Sequence, residues 1–189
     1  VIAANFYNNP SEKIKLIGVT GTNGKTTIVS LLHELFLQLN IKAGLLSTIE
    51  NKIYNQLMES THTTGDALQI NQLLSQMLDS GCKYCFMEVS SHAIDQHRVE
   101  ALAFDIMIFT NISHDHLDYH KTFSQYASAK KKVFDNLNTQ AIALANNDDK
   151  HGLNMLKDTK AKKLTYSLKS MSDYKCKILE NRFDGTLLS

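Results

Sequence analysis

Residues Ile17-Gly18-Val19-Thr20-Gly21-Thr22-Asn23-Gly24-Lys25-Thr26-Thr27 combine types that suit phosphate binding. Glycines let backbone N–H groups turn inward around phosphate oxygens, a helix start adds its dipole, a lysine offers a point charge to the β and γ phosphates, and the threonine after it offers a hydroxyl to Mg²⁺. The common spacing GxxxxGK[ST] is not met, because Val19 stands where it requires glycine; what remains is GxxGKT. A merely structural turn is the alternative. Against it, the motif follows a buried-strand pattern and opens an amphipathic helix.

Three further clusters carry polar chemistry. Thr61-His62-Thr63-Thr64-Gly65-Asp66 precedes a helical stretch. It reads either as an N-cap by Thr64 with Asp66 in the first turn or as hydroxyl and N–H groups for a second anion. Glu88 ends an apolar run before Ser90-Ser91-His92, where a carboxylate would face the phosphate loop and hold Mg²⁺. Ser90 and Ser91 read equally as turn residues, and no G-x-S-x-G elbow supports a Ser-His nucleophile. Gln96-His97-Arg98 follows in a polar loop, with Arg98 either an anion clamp or a solvated surface residue. The third cluster, Thr110-Asn111-Ile112-Ser113-His114-Asp115-His116-Leu117-Asp118-Tyr119-His120, gathers three histidines and two aspartates after another strand pattern. Three histidines permit zinc, but a phosphate-loop protein more often uses Mg²⁺; one histidine is expected to bind metal or phosphate.

Lys130 is informative for its position. Phe123, Tyr126, Ala127, Val133, Phe134 and Leu137 form an apolar helical stripe, and Lys130 falls on the same face, whereas Lys131 and Lys132 face solvent. Burial lowers a lysine pKa and leaves more neutral amine, which can take up carbon dioxide as a carbamate and become a carboxylate-like metal ligand. Snorkelling, or pairing with an acid, is the alternative.

Positioning these groups requires strands that end where they stand. Apolar runs at 15–19, 43–47, 84–89, 104–110, 141–145 and 163–167 alternate with helical stripes, which predicts a mostly parallel α/β sheet with helices on both faces. The stripes are Ile28, Leu31, Leu32, Leu35 and Leu39; Ile70, Leu73, Leu74, Met77 and Leu78; and residues 123–137, with a weaker helix at 148–156. Residues 174–179 and 186–188 around Asp184-Gly185 predict added antiparallel strands near the C-terminus. Asn8-Asn9-Pro10-Ser11 reads as a linker outside the core.

The 189 residues are 43% hydrophobic and 21% charged, with mean hydropathy −0.23, which excludes intrinsic disorder as the main state. Twenty Lys and Arg balance nineteen Asp and Glu, so no global field favours nucleic acid. No apolar run is long enough for a membrane helix, and the chain is expected to be cytoplasmic. Three cysteines make no disulfide framework, and Cys82 and Cys85 are expected to pack rather than to do redox or zinc chemistry. A start without Met and a stop at Leu188-Ser189, inside a strand pattern, suggest a piece of a longer protein.

Together these motifs resemble the Mur ligase family and, within it, the MurE type. The resemblance rests on residues 21–27, Thr63-Thr64-Gly65, Met87 to Ala93, Gln96-His97-Arg98, Phe109 to His120, Ala129-Lys130 and Asn146-Asn147-Asp148-Asp149. It implies a P-loop NTPase-like fold and an ATP-dependent amide ligase. That enzyme adds a diamino acid to UDP-N-acetylmuramoyl-L-alanyl-D-glutamate through an acyl phosphate, in peptidoglycan synthesis. By the resemblance Gly21, Thr22, Asn23, Gly24, Lys25, Thr26 and Thr27 would bind ATP, with Asn146 near adenine. Thr26 and Glu88 would hold one Mg²⁺, and His116 with carbamylated Lys130 a second. Thr63, Thr64, Ser90, Gln96 and Arg98 would contact the UDP-sugar-peptide. Residues 1–13 would be the linker from an N-terminal UDP-binding domain and 14–189 the central ATP-binding domain of a monomer, inactive without its C-terminal amino-acid-binding domain. A folylpolyglutamate synthetase-like ligase, or a nucleotide-binding module without ligation chemistry, is the alternative.

Overall fold

A strand covered on both faces has no polar side to present, and Leu16 to Val19 is such a run. In the computed structural model, which describes residues 1–58, 65–113, 122–182 and 185–189, this run is β1 (Lys15–Thr20), all but its first residue buried. The other strands are β2 (Ala43–Leu46), β3 (Asn51–Ile53), β4 (Gln56–Met58), β5 (Tyr84–Glu88), β6 (Ile106–Phe109), β7 (Ile142–Asn146), β8 (Lys162–Ser167), β9 (Tyr174–Lys175), β10 (Ile178–Arg182) and β11 (Gly185–Leu188). The described helices are α1 (Ile2–Phe6), α2 (Lys25–Gln38), α3 (Ala67–Asp79), α4 (Ser91–Asp95), α5 (Phe123–Asp135) and α6 (Gly152–Met155).

The main sheet runs β4-β3-β2-β5-β1-β6-β7-β8-β9, parallel from β2 to β9, with β3 and β4 antiparallel at one edge. The chain leaves β1 for strands on one side and later returns to the other, which opens a crevice at the carboxyl end of β1. Register sets the level of what meets there: Val19 lies opposite Glu88, and Thr20 opposite Phe109. Both faces carry core. α3 and α5 pack with Leu16, Met87 and Phe109 into the larger cluster, while α2 covers Ile17, Val19, Leu45 and Phe86 on the other.

Every expected parallel strand is present within a residue or two, and the α3 and α5 stripes are buried as expected. The α2 stripe is not. Leu31, Leu35 and Leu39 are 64%, 48% and 58% exposed, while Val29 and His33 are buried and Ile28, Leu32 and Phe36 pack beside them. A count of apolar residues overlooks a core histidine: the His33 ring nitrogen Nε2 lies 3.2 Å from the Ala43 carbonyl, and burial lowers its pKa.

The Asn8–Ser11 stretch is likewise part of the packing: Pro10 and Ser11 are buried in a 3-10 turn, and Ser11 Oγ accepts the Ala103 N–H at 3.1 Å. At the C-terminal end β9 joins β8 in parallel, and only β10 and β11 form the antiparallel pair. Asp184 of its expected turn lies outside the described residues. Residues 148–151 form a turn, so the helix expected at 148–156 shortens to α6. Lys131 is more than a solvated charge, since its Nζ lies 2.6 Å from both Asp135 and Asp158.

Candidate active site

The turn after β1 needs glycine twice. Gly21 has φ +154°, and a Cβ there would sit 1.9 Å from Thr110 Oγ1; Gly24, at φ +84°, is the N-cap of α2. Helix geometry leaves the N–H groups of the first turn, from Gly24 to Thr27, without intrahelical acceptors, and the helix dipole favours an anion beside them. Thr22 and Asn23 differ. Their N–H groups are donated to Asn111, at 2.8 Å to its carbonyl and 3.0 Å to its Oδ1, so that half of the loop faces protein.

Two lysines converge on this turn. Lys25 Nζ donates to the Gly21 and Thr22 carbonyls at 3.0 and 2.9 Å, and Lys130 Nζ, on α5, donates to the same Gly21 carbonyl at 3.0 Å. Lys130 is 1% exposed and lies 4.7 Å from the centre of the Tyr126 ring, whose hydroxyl is 3.1 Å from Thr22 Oγ1. The inward face assigned to Lys130 from helical spacing is thus where its side chain lies.

Glu88 closes the other wall. It is 1% exposed; Oε1 accepts the Thr48 N–H at 2.9 Å, and Oε2 accepts the Thr48 hydroxyl at 3.1 Å. Glu88 stands opposite Val19 at the carboxyl end of β1, and its buried carboxylate and the half-buried Thr26 hydroxyl after that strand are both hard oxygen donors, the kind Mg²⁺ takes. Among the described residues no three His, Cys, Asp or Glu side chains gather as a metal cluster. His116, Thr63 and Thr64 lie outside the described residues.

The remaining expected residues have structural partners. Ser90 is the N-cap of α4, its Oγ accepting the Ala93 N–H at 3.1 Å. Arg98 donates to the Gln96 side-chain oxygen, and His97 between them, at φ +58°, pairs with Glu100 at 2.8 Å. Asp66, rather than Thr64, caps α3, accepting the Gln69 N–H. Asn146 Nδ2 donates to the Thr110 carbonyl at 2.9 Å, and its Oδ1 accepts the Asp148 N–H at 3.0 Å. Cys82 and Cys85 are free and buried, and burial pushes both thiols up, against redox chemistry.

Two supporting residues escaped the sequence, Thr48 and Tyr166, and two more, Asn111 and Asp149, stood inside its motifs without a role of their own. Asp149 accepts the Ile112 N–H at 2.9 Å and the His151 N–H at 2.8 Å. Tyr166 donates to the Phe109 carbonyl at 3.3 Å and, with burial and Asp149 pushing its pKa to about 12, stays a donor. Thr48 follows β2, next to β5, so looking for polar side chains beyond the carboxyl end of every strand would have found it.

Residues 19–189 match the Mur ligase middle domain. The chain belongs to the Mur ligase family. It is 54% identical over 186 residues to the UDP-N-acetylmuramoyl-L-alanyl-D-glutamate--2,6-diaminopimelate ligase of Parabacteroides distasonis, a match covering 98% of this chain and 38% of that protein. It is also 54% identical over 185 residues to the Cytophaga hutchinsonii ligase of the same name, again covering 98% and 38%. A solved structure of a ligase of that name superposes with a TM-score of 0.80 at 34% identity, over 93% of this chain and 36% of the other. The chain thus spans under two fifths of these Mur ligases. No described helix is long and apolar enough to cross a membrane.

Proposed function

We propose that this chain is the central ATP-binding domain, residues 14–189 preceded by a linker, of a cytoplasmic, monomeric amide ligase. That enzyme joins a diamino acid, 2,6-diaminopimelate, to UDP-N-acetylmuramoyl-L-alanyl-D-glutamate at the expense of ATP. The observation that carries the proposal is the buried Lys130 side chain reaching the Gly21 carbonyl of the phosphate loop, a placement a simple nucleotide switch does not need. The 54% identity to a ligase of that specificity supports it.

In this proposal the first turn of α2 receives the phosphates. Lys25 leaves the Gly21 and Thr22 carbonyls to neutralise charge on the transferring phosphoryl group. Thr26 and Glu88 hold one Mg²⁺, and His116 and Lys130, as a carbamate, a second. Bound Mg²⁺ supplies charge neutralisation to the phosphoryl oxygens. A carbamate on Lys130 would place a negative charge beside Lys25, which shares the Gly21 carbonyl with it, and attract a cationic Lys25 side chain. Thr63, Thr64, Ser90, Gln96 and Arg98 bind the UDP-sugar-peptide, and the Asn146 amide, braced between Thr110 and Asp148, lies by the adenine.

The test is product formation by the full-length protein with ATP, Mg²⁺, UDP-N-acetylmuramoyl-L-alanyl-D-glutamate and a panel of diamino acids, read by mass. A tripeptide product with diaminopimelate is expected. Bound ATP without any product would overturn the ligase assignment.

A further inference from the structure

The Thr22 and Asn23 N–H groups, which a phosphate loop commonly aims at its ligand, are here committed to the segment after β6. Asn111 grips the Asn23 backbone through both of its flanking peptides: its Oδ1 accepts the N–H at 3.0 Å, and its Nδ2 donates to the carbonyl at 3.1 Å. That carbonyl also accepts from Thr110 Oγ1 at 2.7 Å, and the Ser113 N–H donates to Thr22 Oγ1 at 3.0 Å. The clamp is itself anchored, because Asn146 holds Thr110 on one side of Asn111 and Asp149 holds Ile112 on the other. Asn23 and Gly24 are exposed, and Gly24 is the residue least restrained by its own side chain, so local packing does not fix this turn.

We propose that Asn111 is a positioning residue that holds Thr22 and Asn23 in their binding shape before nucleotide arrives, leaving phosphate to the N–H groups of the first turn of α2. The proposal rests on nucleotide binding as assigned above and adds how the loop is prepared for it. Ordering two backbone residues in advance removes that cost from the binding step. Asn111 touches neither phosphate nor metal in this arrangement; it acts through the Asn23 backbone.

The test uses the full-length protein. Amide hydrogen exchange without nucleotide should show Thr22 and Asn23 already protected, with the first turn of α2 gaining protection only on adding ADP and Mg²⁺. Asn111→Ala should lose the early protection, bind ADP about tenfold more weakly by calorimetry, and raise the KM for ATP by a larger factor than it lowers kcat. Asn111→Asp keeps the acceptor for Asn23 but loses the donor and adds a negative charge near the phosphates. It should bind ADP more weakly than Asn111→Ala, and the gap should shrink with added salt. A purely structural role predicts the reverse order, since aspartate preserves the shape. Thr22 and Asn23 exchanging at the unprotected rate until ADP is added would overturn the proposal, as would unchanged ADP affinity in folded Asn111→Ala. Wild-type protein that binds no ADP would instead overturn the nucleotide assignment, and the proposal with it. If Asn111→Ala does not fold, the wild-type exchange pattern and Asn111→Asp decide.

Discussion

Replacing Lys130 by methionine separates what this side chain does for the fold from what it does for the chemistry. The side chain is 1% exposed, and methionine matches its unbranched stem, so the swap conserves volume and costs under about 1.5 kcal/mol in packing. The hydrogen bond to the Gly21 carbonyl is lost, at about 1.5–3 kcal/mol for a charged donor, and the contact with the Tyr126 ring at about 0.5–2 kcal/mol. Against these stands the removal of a buried amino group, whose desolvation costs several kcal/mol when it is charged. The terms nearly cancel, so urea unfolding of Lys130→Met should lie within about 2 kcal/mol of the wild-type chain, on either side. Ligation by the full-length protein should fall by about 10²-fold or more, the scale of losing one charge-stabilising group. A variant that is destabilised by more than about 3 kcal/mol yet still ligates would make Lys130 a structural residue and sink the reasoning.

Thr48→Val should leave the backbone bond to Glu88 and remove the hydroxyl bond, raising the Mg²⁺ concentration needed for half-maximal activity by roughly tenfold, with Thr48→Ser close to wild type. Equal Mg²⁺ dependence in all three proteins would exclude a positioning role. Asp148 is held below the usual carboxylate range, first by the Leu168 N–H and then by Ser170 and Lys169. A depressed carboxyl contributes stability that is full above its unfolded value of about 4 and is lost as pH falls through the folded value. Asp148→Asn should therefore unfold at lower urea than wild type at pH 7, with the gap narrowing at pH 3; a gap constant with pH would refute this. Iodoacetamide at pH 8 should label the half-exposed Cys176 in the native chain and reach Cys82 and Cys85 only after unfolding, as peptide mass mapping would show.

What could be read from residues alone was whatever depends on near neighbours. The passage from β1 through Gly21 and Lys25 into α2 is continuous in sequence, and Lys130 declares its face by the 3.6-residue period of its own helix. Partnerships that depend on register between distant strands were out of reach. Thr48 meets Glu88 because β2 pairs with β5, and Asn111 meets Asn23 because β6 pairs with β1; neither pairing leaves a local mark. The β3–β4 hairpin was invisible for another reason: three-residue strands are too short to show a period, and the turn between them places Tyr54, not glycine, at φ +55°. His33 and Pro10 show the same limit from the side of composition, since a polar residue and a presumed linker residue both ended buried.

The central place of β1 also sets a timetable. Its partners β5 and β6 are made about 70 and 90 residues after it, and neither β2 nor α2 can substitute for them. On the ribosome residues 1–105 therefore emerge while the loop after β1 still lacks its β6 wall, and the loop can close only once β6 has been synthesised. Long-range parallel pairing of this kind folds slowly and leaves apolar strand edges exposed meanwhile. Shortening the connections between β1 and β6, or producing β1 and β6 on separate chains, should change the yield of folded protein far more than an equal change between β8 and β11, where β9 joins the edge of the main sheet and β10 and β11 pair apart from it.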